Sequence, residues 1–367
     1  MALKNETFVQ ICKYKSLALF QPGNFFLSHL FHRFNEHLTA IKSINFRCSI
    51  LWGARFIIFV SFCCGQKGWA QQEPQFSQNM FNMLTVNPGW AGMSNMVNLQ
   101  AISRQQYVGG EGMPKTTVFG ADMAISPMGY DAGIGIQFIS DQIGFIEDVG
   151  ANLNASIKLP ITKGVLGVGL VMGFKNHSVD PEWYYATEIR KTDYHDDSDP
   201  HAQTSKVSGS VFDFGLGVFY QGDGCYAGIS VLHLFEPEPK FDLDYYYYLK
   251  RSFFFTAGKK YALIDKPIEF YPSVFMKTDG VSLQSDWNCN IYYKKRYWGG
   301  LSYRTQDAVV LLAGLEMKSG LRIGYSYDIP VSTVAKSYGG GHEISVGYTF
   351  EMSIDKKVKK HKSVRYL

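Results

Sequence analysis

The densest group of side chains that could carry out chemistry lies in one stretch, DPEWYYATEIRKTDYHDDSDPHAQTSK, which begins at Asp180. Its carboxylates and imidazoles could together hold a cation, and they are Asp193, His195, Asp196, Asp197, Asp199 and His201. Their spacing fits neither a calcium-binding EF-hand loop nor a zinc motif. A solvated loop is the better prediction, and if this loop has a function, we expect it to contact a partner protein.

Catalytic patterns are absent from the sequence. Ser, His and Asp occur, but there is no G-x-S-x-G elbow, no H-E-x-x-H pair and no phosphate-binding G-x-x-x-x-G-K loop. Four of the six cysteines lie in the first 70 residues, which leaves Cys225 and Cys289 about 60 residues apart. Two distant cysteines make neither a disulfide framework nor a zinc site. The sequence therefore predicts no enzyme activity, no cofactor and no metal site.

The charge distribution separates the first 70 residues from the remainder. Residues 1–70 carry eight of the 36 Lys and Arg residues and two of the 32 Asp and Glu residues, which leaves 28 basic and 30 acidic side chains afterwards. This near-neutral remainder argues against a nucleic-acid partner. Residues 1–50 show no clear pattern, and no second Met occurs before Met80. They indicate a leader outside the fold or an over-extended translation start.

Residues 51–70 are predicted to be a secretory signal peptide. Arg55 precedes an apolar run, residues 56–64, and Ala70 is a small residue of the kind that a signal peptidase needs before a cut at Gln71. A transmembrane anchor is the alternative, but the run is much shorter than the roughly 20 apolar residues of a spanning helix. A lipid-modified cysteine near the end of the run is a weaker alternative still.

Most of the later sequence alternates between apolar and polar side chains. The counts of Gly (36), Tyr (23) and Phe (27) favour many strands joined by turns. In LRIGYSYDI, residues 321–329, apolar and polar residues fall on opposite faces because successive strand side chains point to opposite sides. EISVGYTFEM shows the same pattern. Arg304, Arg322, Asp328 and Glu343 belong to the polar faces and are predicted to form an interior network.

About 14 such segments can be counted, near residues 98–107, 115–125, 131–140, 147–159, 164–176, 208–221, 224–234, 251–262, 267–277, 280–293, 296–304, 307–317, 320–329 and 342–352. The connections after even-numbered segments are short, and they read SPMGY, PITKG, QGDG, IDKP, KKR and KSG. The long connections, 175–207, 235–250 and 330–341, follow odd-numbered segments, although two odd connections, near 278–280 and 305–307, are short.

This alternation of connection lengths is typical of a bacterial outer-membrane barrel, which has short periplasmic turns and longer outer loops. A soluble β sandwich or propeller is the alternative. The secretion signal, the aromatic Phe350 at the end of the last strand and the mixed polar face all favour the barrel. We therefore predict an all-β, transmembrane, antiparallel up-and-down barrel of about 14 strands in residues 98–352. Its closure leaves no unpaired strand edge in lipid.

The stretch QEPQFSQNMFNMLTVNPGWAG, residues 72–92, resembles the opening signature of the PorP/SprF family of Bacteroidetes outer-membrane proteins. The family pattern is roughly Q-D-P-x-F-S-Q-Y-M-F-N-x-x-x-x-N-P-A-Y-A-G. The matching residues are Gln72, Pro74, Phe76, Ser77, Gln78, Met80, Phe81, Asn82, Asn87, Pro88, Ala91 and Gly92. The departures are Glu73 for Asp, Asn79 for Tyr, Gly89 for Ala and Trp90 for Tyr.

Later segments extend the resemblance to Phe350. RQQYVGGEGMPKTT, from Arg104, is similar to an R-x-Q-W segment of the family, with Tyr107 where Trp is usual, and GYSYDI and GGGHEISVGYTF also fit. The resemblance implies a β-barrel that works with type IX secretion and gliding-motility machinery. It also implies that the chain assists export or surface attachment of a particular large secreted protein, contacts periplasmic components and has no enzyme activity.

The signature segment, residues 71–97, is predicted to be periplasmic or to lie in the barrel mouth. In that hypothesis the apolar side chains pack against the wall, and they are Phe76, Met80, Phe81 and Leu84. Gln78, Asn82 and Asn87 would hydrogen-bond the backbone, while Pro88 and Gly92 steer the chain into the first strand. Two roles stay open, namely a plug that stabilises the lower mouth and a docking element for a partner.

Two further segments have plain explanations. YYYYL, residues 245–249, is predicted to belong to an aromatic girdle at the outer interface, with a carbohydrate-stacking surface as the alternative. The tail, residues 353–367, carries six Lys or Arg residues and one acid. An even strand number leaves this tail in the periplasm, either solvated or in contact with a periplasmic subunit or anionic lipid.

The leading functional hypothesis is an outer-membrane accessory of type IX secretion that assists export or attachment of a secreted protein such as an adhesin. Its partners would be that secreted substrate, periplasmic components of the machinery and outer-membrane lipid. The alternative is a diffusion channel or a transporter of hydrophobic substrates, because a barrel of about 14 strands can enclose a lumen. A surface hydrolase is a more distant hypothesis.

Overall fold

The computed structural model describes residues 73–110, 112–161, 163–180, 206–241, 247–332 and 339–351, which belong to one compact unit, Lys67–Leu367. The predicted leader (1–50), the signal peptide (51–70), the cation-type residues from Asp193 to His201 and the basic tail (353–367) lie outside the described residues.

In the described part of the chain, fourteen antiparallel strands follow one another around the barrel. They are β1 Val97–Gln105, β2 Lys115–Ile125, β3 Ala132–Ile143, β4 Ile146–Ile161, β5 Gly164–Val179, β6 Val207–Gly222, β7 Cys225–Leu232, β8 (Ser252–Lys259 and Tyr261–Ala262), β9 Ile268–Thr278, β10 Leu283–Tyr293, β11 Tyr297–Arg304, β12 Ala308–Glu316, β13 Leu321–Pro330 and β14 Gly341–Phe350. The two pieces of β8 pair with β9 in one register, and the break lies beside Pro272, which has no N–H to donate.

The ring closes because β14 also pairs with β1, from Val97 opposite Phe350 to Gln105 opposite His342. Every strand therefore has a neighbour on both sides, and no edge is left for lipid or another chain to meet. The fold predicted from the sequence, an antiparallel barrel of about 14 strands, is confirmed. No helix among the described residues has the length and hydropathy needed to cross a membrane.

The two faces of the wall have the polarity of a membrane barrel. Ile157 and Leu301 point outward and are 59% and 58% exposed, whereas Asn154 and Glu343 point inward and are 1% and 0% exposed. Apolar side chains on the outside and polar side chains on the inside reverse the arrangement of a soluble protein. Lipid is the medium that can cover such an outer face.

We name the two ends of the barrel by their connections. At the turn end, where β1 begins and β14 ends, short turns join β2 to β3, β4 to β5 and each later pair of this kind. At the loop end lie the long connections 106–114, 180–206, 233–251 and 331–340, together with three short ones. One of these, Gly144 and Phe145 between β3 and β4, is shorter than the sequence predicts. Short turns face the periplasm in outer-membrane barrels, so the turn end is the periplasmic end.

Candidate functional site: the lumen segment and the turn-end cavity

Residues 73–96, which we call the lumen segment, lie inside the barrel and run from its loop end to its turn end. At the loop end, Lys277 Nζ donates a hydrogen bond to the Glu73 carbonyl oxygen at 3.0 Å. At the turn end, the Gly92 N–H donates to Asp122 Oδ2 at 2.9 Å, and Lys158 Nζ donates to the Gly92 carbonyl oxygen at 2.7 Å. The described part of the segment therefore lies within the lumen, and it extends from the lower mouth to the loop end.

Short helical turns compact the segment so that it fills the lumen. A 3-10 turn at Asn79–Phe81, an α-helical turn at Met83–Val86 and a second 3-10 turn at Pro88–Trp90 follow one another. Pro88 occupies the first position of the last turn, where a missing N–H costs nothing, and the Asn87 side chain caps it by accepting from the Gly89 N–H at 2.9 Å.

Glu343 on β14 binds the backbone of the segment in the loop-end half of the lumen. Its two carboxylate oxygens accept the N–H groups of Ser77 at 2.7 Å and Gln78 at 2.8 Å. The fully buried Gln78 side chain also donates to the Glu343 carbonyl oxygen at 3.3 Å and accepts from Ser345 Oγ at 2.7 Å. Hydrogen bonds to a carboxylate are stronger than neutral ones, so Glu343 is a firm attachment point for the segment.

Two buried arginines surround this attachment point. Arg104 forms ion pairs with Asp328 at 2.7 Å and with Glu343 at 3.1 Å, and Arg304 pairs with Asp328 at 2.9 Å. Ser77 Oγ accepts from Arg104 at 2.6 Å and from Arg304 at 2.9 Å, and it donates to Asp328 at 2.6 Å. Buried charges are costly unless they are paired, and here each guanidinium faces a carboxylate. We call Arg104, Arg304, Asp286, Asp328 and Glu343 the charged network.

Asp286 on β10 binds the residues that flank Ser77 and Gln78. Its Oδ2 accepts from Gln75 Nε2 at 2.9 Å and from Asn79 Nδ2 at 3.2 Å, and its Oδ1 lies 3.3 Å from Arg304 Nε. Asn288 donates to Asn79 Oδ1 at 3.2 Å. Four polar residues near the start of the segment therefore bind one charged part of the wall, and they are Gln75, Ser77, Gln78 and Asn79.

Glu73 and His233 form an ion pair near the loop end. The imidazole lies between the Glu73 and Asp213 carboxylates, and its Nδ1 is 2.8 Å from Asp213 Oδ2. Burial alone would raise the pKa of Glu73, but the His233 cation lowers it to about 2. Burial alone would lower the pKa of His233, but Glu73 and Asp213 raise it to about 9. The pair is therefore charged at neutral pH.

Glycines in the wall let the middle of the segment approach the strands closely. A Cβ added at Gly169 would lie 2.3 Å from the Pro88 carbonyl carbon, and one added at Gly133 would lie 1.9 Å from the Ala91 carbonyl oxygen. Beside them, Asn87 Nδ2 donates to the carbonyl oxygens of β6 and β7, at 3.0 Å to Val218 and 3.3 Å to Ile229. These inward glycines are needed for close contact with the segment.

Apolar residues of the segment fill the space between these polar contacts. Phe76 is buried against Ile102 and Val118, and the Phe81 ring lies 4.9 Å from the Trp298 ring. The remaining apolar side chains, Met80, Met83, Leu84 and Val86, contact other parts of the wall. Pro74 lines a small cavity of about 60 Å³ next to Phe76.

Asn82 differs from the sequence-based hypothesis, since its side chain bonds another side chain and not the backbone. Its Oδ1 accepts from Thr85 Oγ1, which in turn accepts from Gln137 on β3, both at 2.5 Å. The Asn82 amide is buried and is part of the contact between the segment and β3.

A cavity of about 460 Å³ lies beside the lumen segment, in the turn-end half of the barrel. Phe81 and Trp90 of the segment line it from one side, and Tyr226, Tyr271 and Tyr292 line it from the barrel wall. It reaches the turn between β6 and β7. Its volume falls within the range of roughly 300–1,000 Å³ that is usual for ligand sites.

Arg322 on β13 faces this cavity and does not join the charged network, contrary to the interior network predicted from the sequence. Its guanidinium lies 4.3 Å from the centre of the Phe81 ring. Among the described residues Arg322 forms no ion pair, although Glu316 lies opposite it in the β12–β13 ladder. A guanidinium over an aromatic face gains a cation–π interaction, but this interaction leaves its hydrogen-bond donors available.

Other candidate sites from the sequence are less informative. Within the described ranges no group of three or more His, Cys, Asp or Glu side chains is arranged to hold a metal ion. Cys225 and Cys289 are both free thiols. Sequence reasoning missed Arg104 and Asp286 as ligands of the segment. Their positions on the polar faces of predicted strands indicate that they point into the lumen. The partner of each charge could not be predicted, because it lies on a strand that is far away in the chain.

Comparison with known proteins identifies a family. Residues 69–348 match the family model described as type IX secretion system membrane protein PorP/SprF. This match covers most of the chain, including the lumen segment and all but the end of β14. No curated protein matches the chain significantly.

Solved structures with a similar shape are outer-membrane barrels of low sequence identity. The outer-membrane protein Omp33 of Acinetobacter baumannii is 5% identical with a TM-score of 0.41, over 70% of this chain and 98% of that one. The translocator domain of the autotransporter NalP from Neisseria meningitidis is 13% identical with a TM-score of 0.39, over 74% and 95%. The toluene transporter TbuX of Ralstonia pickettii is 11% identical with a TM-score of 0.39, over 72% and 92%.

Proposed function

Because the chain belongs to the PorP/SprF family of type IX secretion system membrane proteins, we propose that it assists export or surface attachment of one particular secreted protein, such as an adhesin. In this proposal the chain has no enzyme activity. It acts from the outer membrane after removal of its signal peptide, by binding the secreted protein and periplasmic components of the machinery.

The filled lumen is the observation that favours protein binding over solute diffusion. The lumen segment is attached to the wall from Lys277 at the loop end to Asp122 and Lys158 at the turn end. A diffusion channel needs a continuous aqueous path, and the charged network and the packed apolar residues around Phe76 block the loop-end half of the described lumen. A barrel blocked in this way is suited to present surfaces to other proteins.

Deletion of the gene in the native bacterium tests the proposal. We expect one large secreted protein to disappear from the cell surface, with other type IX substrates still exported, and we expect the intact gene to restore it. Quantitative proteomics of surface, medium and periplasm fractions measures this result. An unchanged distribution of every type IX substrate would refute the proposal.

Conductance of the purified barrel in planar bilayers tests the alternative. We expect no stable open pore because the lumen segment remains bound. A steady conductance with selectivity among small solutes would favour a diffusion channel instead.

A further inference from the structure

Three arginines of the described strands reach the lumen from its wall, and one of them differs from the other two. In the loop-end half, Arg104 faces two carboxylates and Arg304 faces three, at 2.7–3.3 Å. Arg322 in the turn-end half lies over Phe81 and forms no ion pair with any described residue. A partly buried guanidinium without a carboxylate retains unused hydrogen-bond donors, and such a group beside a cavity indicates an anionic ligand.

The other lining residues narrow the chemistry of that ligand. Aromatic side chains form much of the wall, and they are Phe81, Trp90, Phe219, Tyr226, Tyr271 and Tyr292. Side-chain amides, which both donate and accept hydrogen bonds, lie among them at Gln100, Gln221 and Asn290. The Lys260 cation, which also lines the cavity, is paired with Glu269 at 2.9 Å. The Asp122 carboxylate is occupied by Gly92 and Asn98.

We propose that the turn-end cavity binds a short peptide segment that carries aromatic or aliphatic side chains and a carboxylate, supplied by a protein on the periplasmic side. Aromatic rings take the apolar side chains, the amides pair with the peptide backbone, and Arg322 binds the carboxylate. About 460 Å³ admits a few residues and excludes a folded domain. This inference rests on the proposed function for the existence of such a partner, but the chemistry of the site rests on the cavity alone.

The peptide class is favoured over an isolated anion or a lipid for two reasons. A phosphate ion would use Arg322 and leave the aromatic rings without a function. A lipid headgroup would have to leave the membrane surface and enter the lumen, past a wall whose apolar side chains face outward. A peptide uses the charge, the amides and the rings together.

Binding to the purified full-length barrel tests the proposal. The probe is the tetrapeptide N-acetyl-Phe-Ala-Phe-Glu with a free terminal carboxylate, and the comparison is the same peptide with Gln and a terminal amide. Isothermal titration calorimetry in a nonionic detergent measures both affinities. We expect the acidic peptide to bind at least about tenfold more tightly, because hydrogen bonds to a charged group are stronger than neutral ones.

Two substitutions of Arg322 and two at other positions locate the binding site. Arg322→Ala should weaken binding of the acidic peptide by about tenfold, and Arg322→Lys should retain part of the affinity. Arg296→Ala is the matched control, because Arg296 lies in the exposed turn before β11 and does not line the cavity. Glu316→Gln should leave binding unchanged or strengthen it. Heat-dependent migration in gels verifies that each variant remains a folded barrel.

The outcomes separate this site from the proposed function. Equal binding of the acidic and neutral peptides, or unchanged binding to a folded Arg322→Ala barrel, would overturn the site. Competition by inorganic phosphate, or by anionic phosphatidylglycerol micelles at equal concentration, would overturn the peptide class. Either result leaves the deletion phenotype unaffected, so loss of the site and loss of the secretion role are distinguishable.

Discussion

The two halves of the lumen hold the same segment in different ways. In the loop-end half, three carboxylates and two arginines form the charged network, and its members bind one another and the backbone near Ser77. In the turn-end half, the segment contacts glycines and aromatic rings, a cavity of about 460 Å³ remains, and Arg322 forms no ion pair with a described residue. In the loop-end half the arginines are paired with carboxylates, whereas the turn-end half has a cavity and an arginine that could bind another molecule.

The largest difference between the two ends should be their accessibility in intact cells. The lumen segment begins at the loop end with Glu73, and β14 finishes at the turn end with Phe350. An epitope tag inserted directly before Glu73 should therefore bind antibody on intact cells, and the same tag after Glu351 should bind only after the outer membrane is permeabilised. Labelling of both insertions from outside, or of neither, would contradict the assigned direction of the segment.

Loss of the Glu343 carboxylate should be the most destabilising single change. Glu343→Ala removes the acceptor of the Ser77 and Gln78 N–H groups and leaves Arg104 with one carboxylate fewer. Breaking a buried ion pair costs about 3–5 kcal/mol, so we expect a loss of that order in the free energy of unfolding. Urea unfolding in lipid vesicles measures it. Ile344→Val is the control, since Ile344 faces outward, and it should change stability by about 0.5 kcal/mol or less.

A methyl group added at an inward-facing glycine of the wall should disturb the packing of the lumen segment in the turn-end half alone. Gly133→Ala places a Cβ 1.9 Å from the Ala91 carbonyl oxygen, which forces the segment away from β3. Overpacking of this kind costs about 1–3 kcal/mol. Gly150→Ala is the control, because its nearest neighbour is 3.6 Å away. Protease digestion of the purified barrel should cut the segment in Gly133→Ala and not in Gly150→Ala, and equal resistance of both variants would count against the contact.

The smallest expected effect is a pH dependence at the loop end. The stabilising contribution of Glu73 is present above its ordinary pKa of 4.5 and is lost as the pH falls through about 2. The contribution of His233 is fully present below its ordinary pKa of 6.5 and is lost as the pH rises through about 9. The hydrogen-exchange protection factors of amides near Glu73, which correct for the general rise of exchange with pH, should therefore fall above pH 9, with little change at the turn end. A His233→Gln barrel should show no such fall.

Much of the fold could be predicted because it depends on local patterns. Alternation in segments such as residues 321–329 assigns one face to lipid, and the lengths of the connections set the direction of each strand. The β3–β4 connection is one exception, because apolar and charged residues extend both strands to Gly144 and Phe145. The signature residues could be recognised as a group, but their contacts could not, since Ser77 and Glu343 are separated by most of the chain.

The sequence by itself determined that the chain forms a closed membrane barrel, because strand periodicity and turn chemistry are properties of neighbouring residues. Only the tertiary structure decided that the signature fills the lumen from the loop end to the turn end. It also decided that Arg104 and Arg304 are neutralised while Arg322 is not, because the carboxylate that a buried charge meets depends on which distant strands the closed ring brings together.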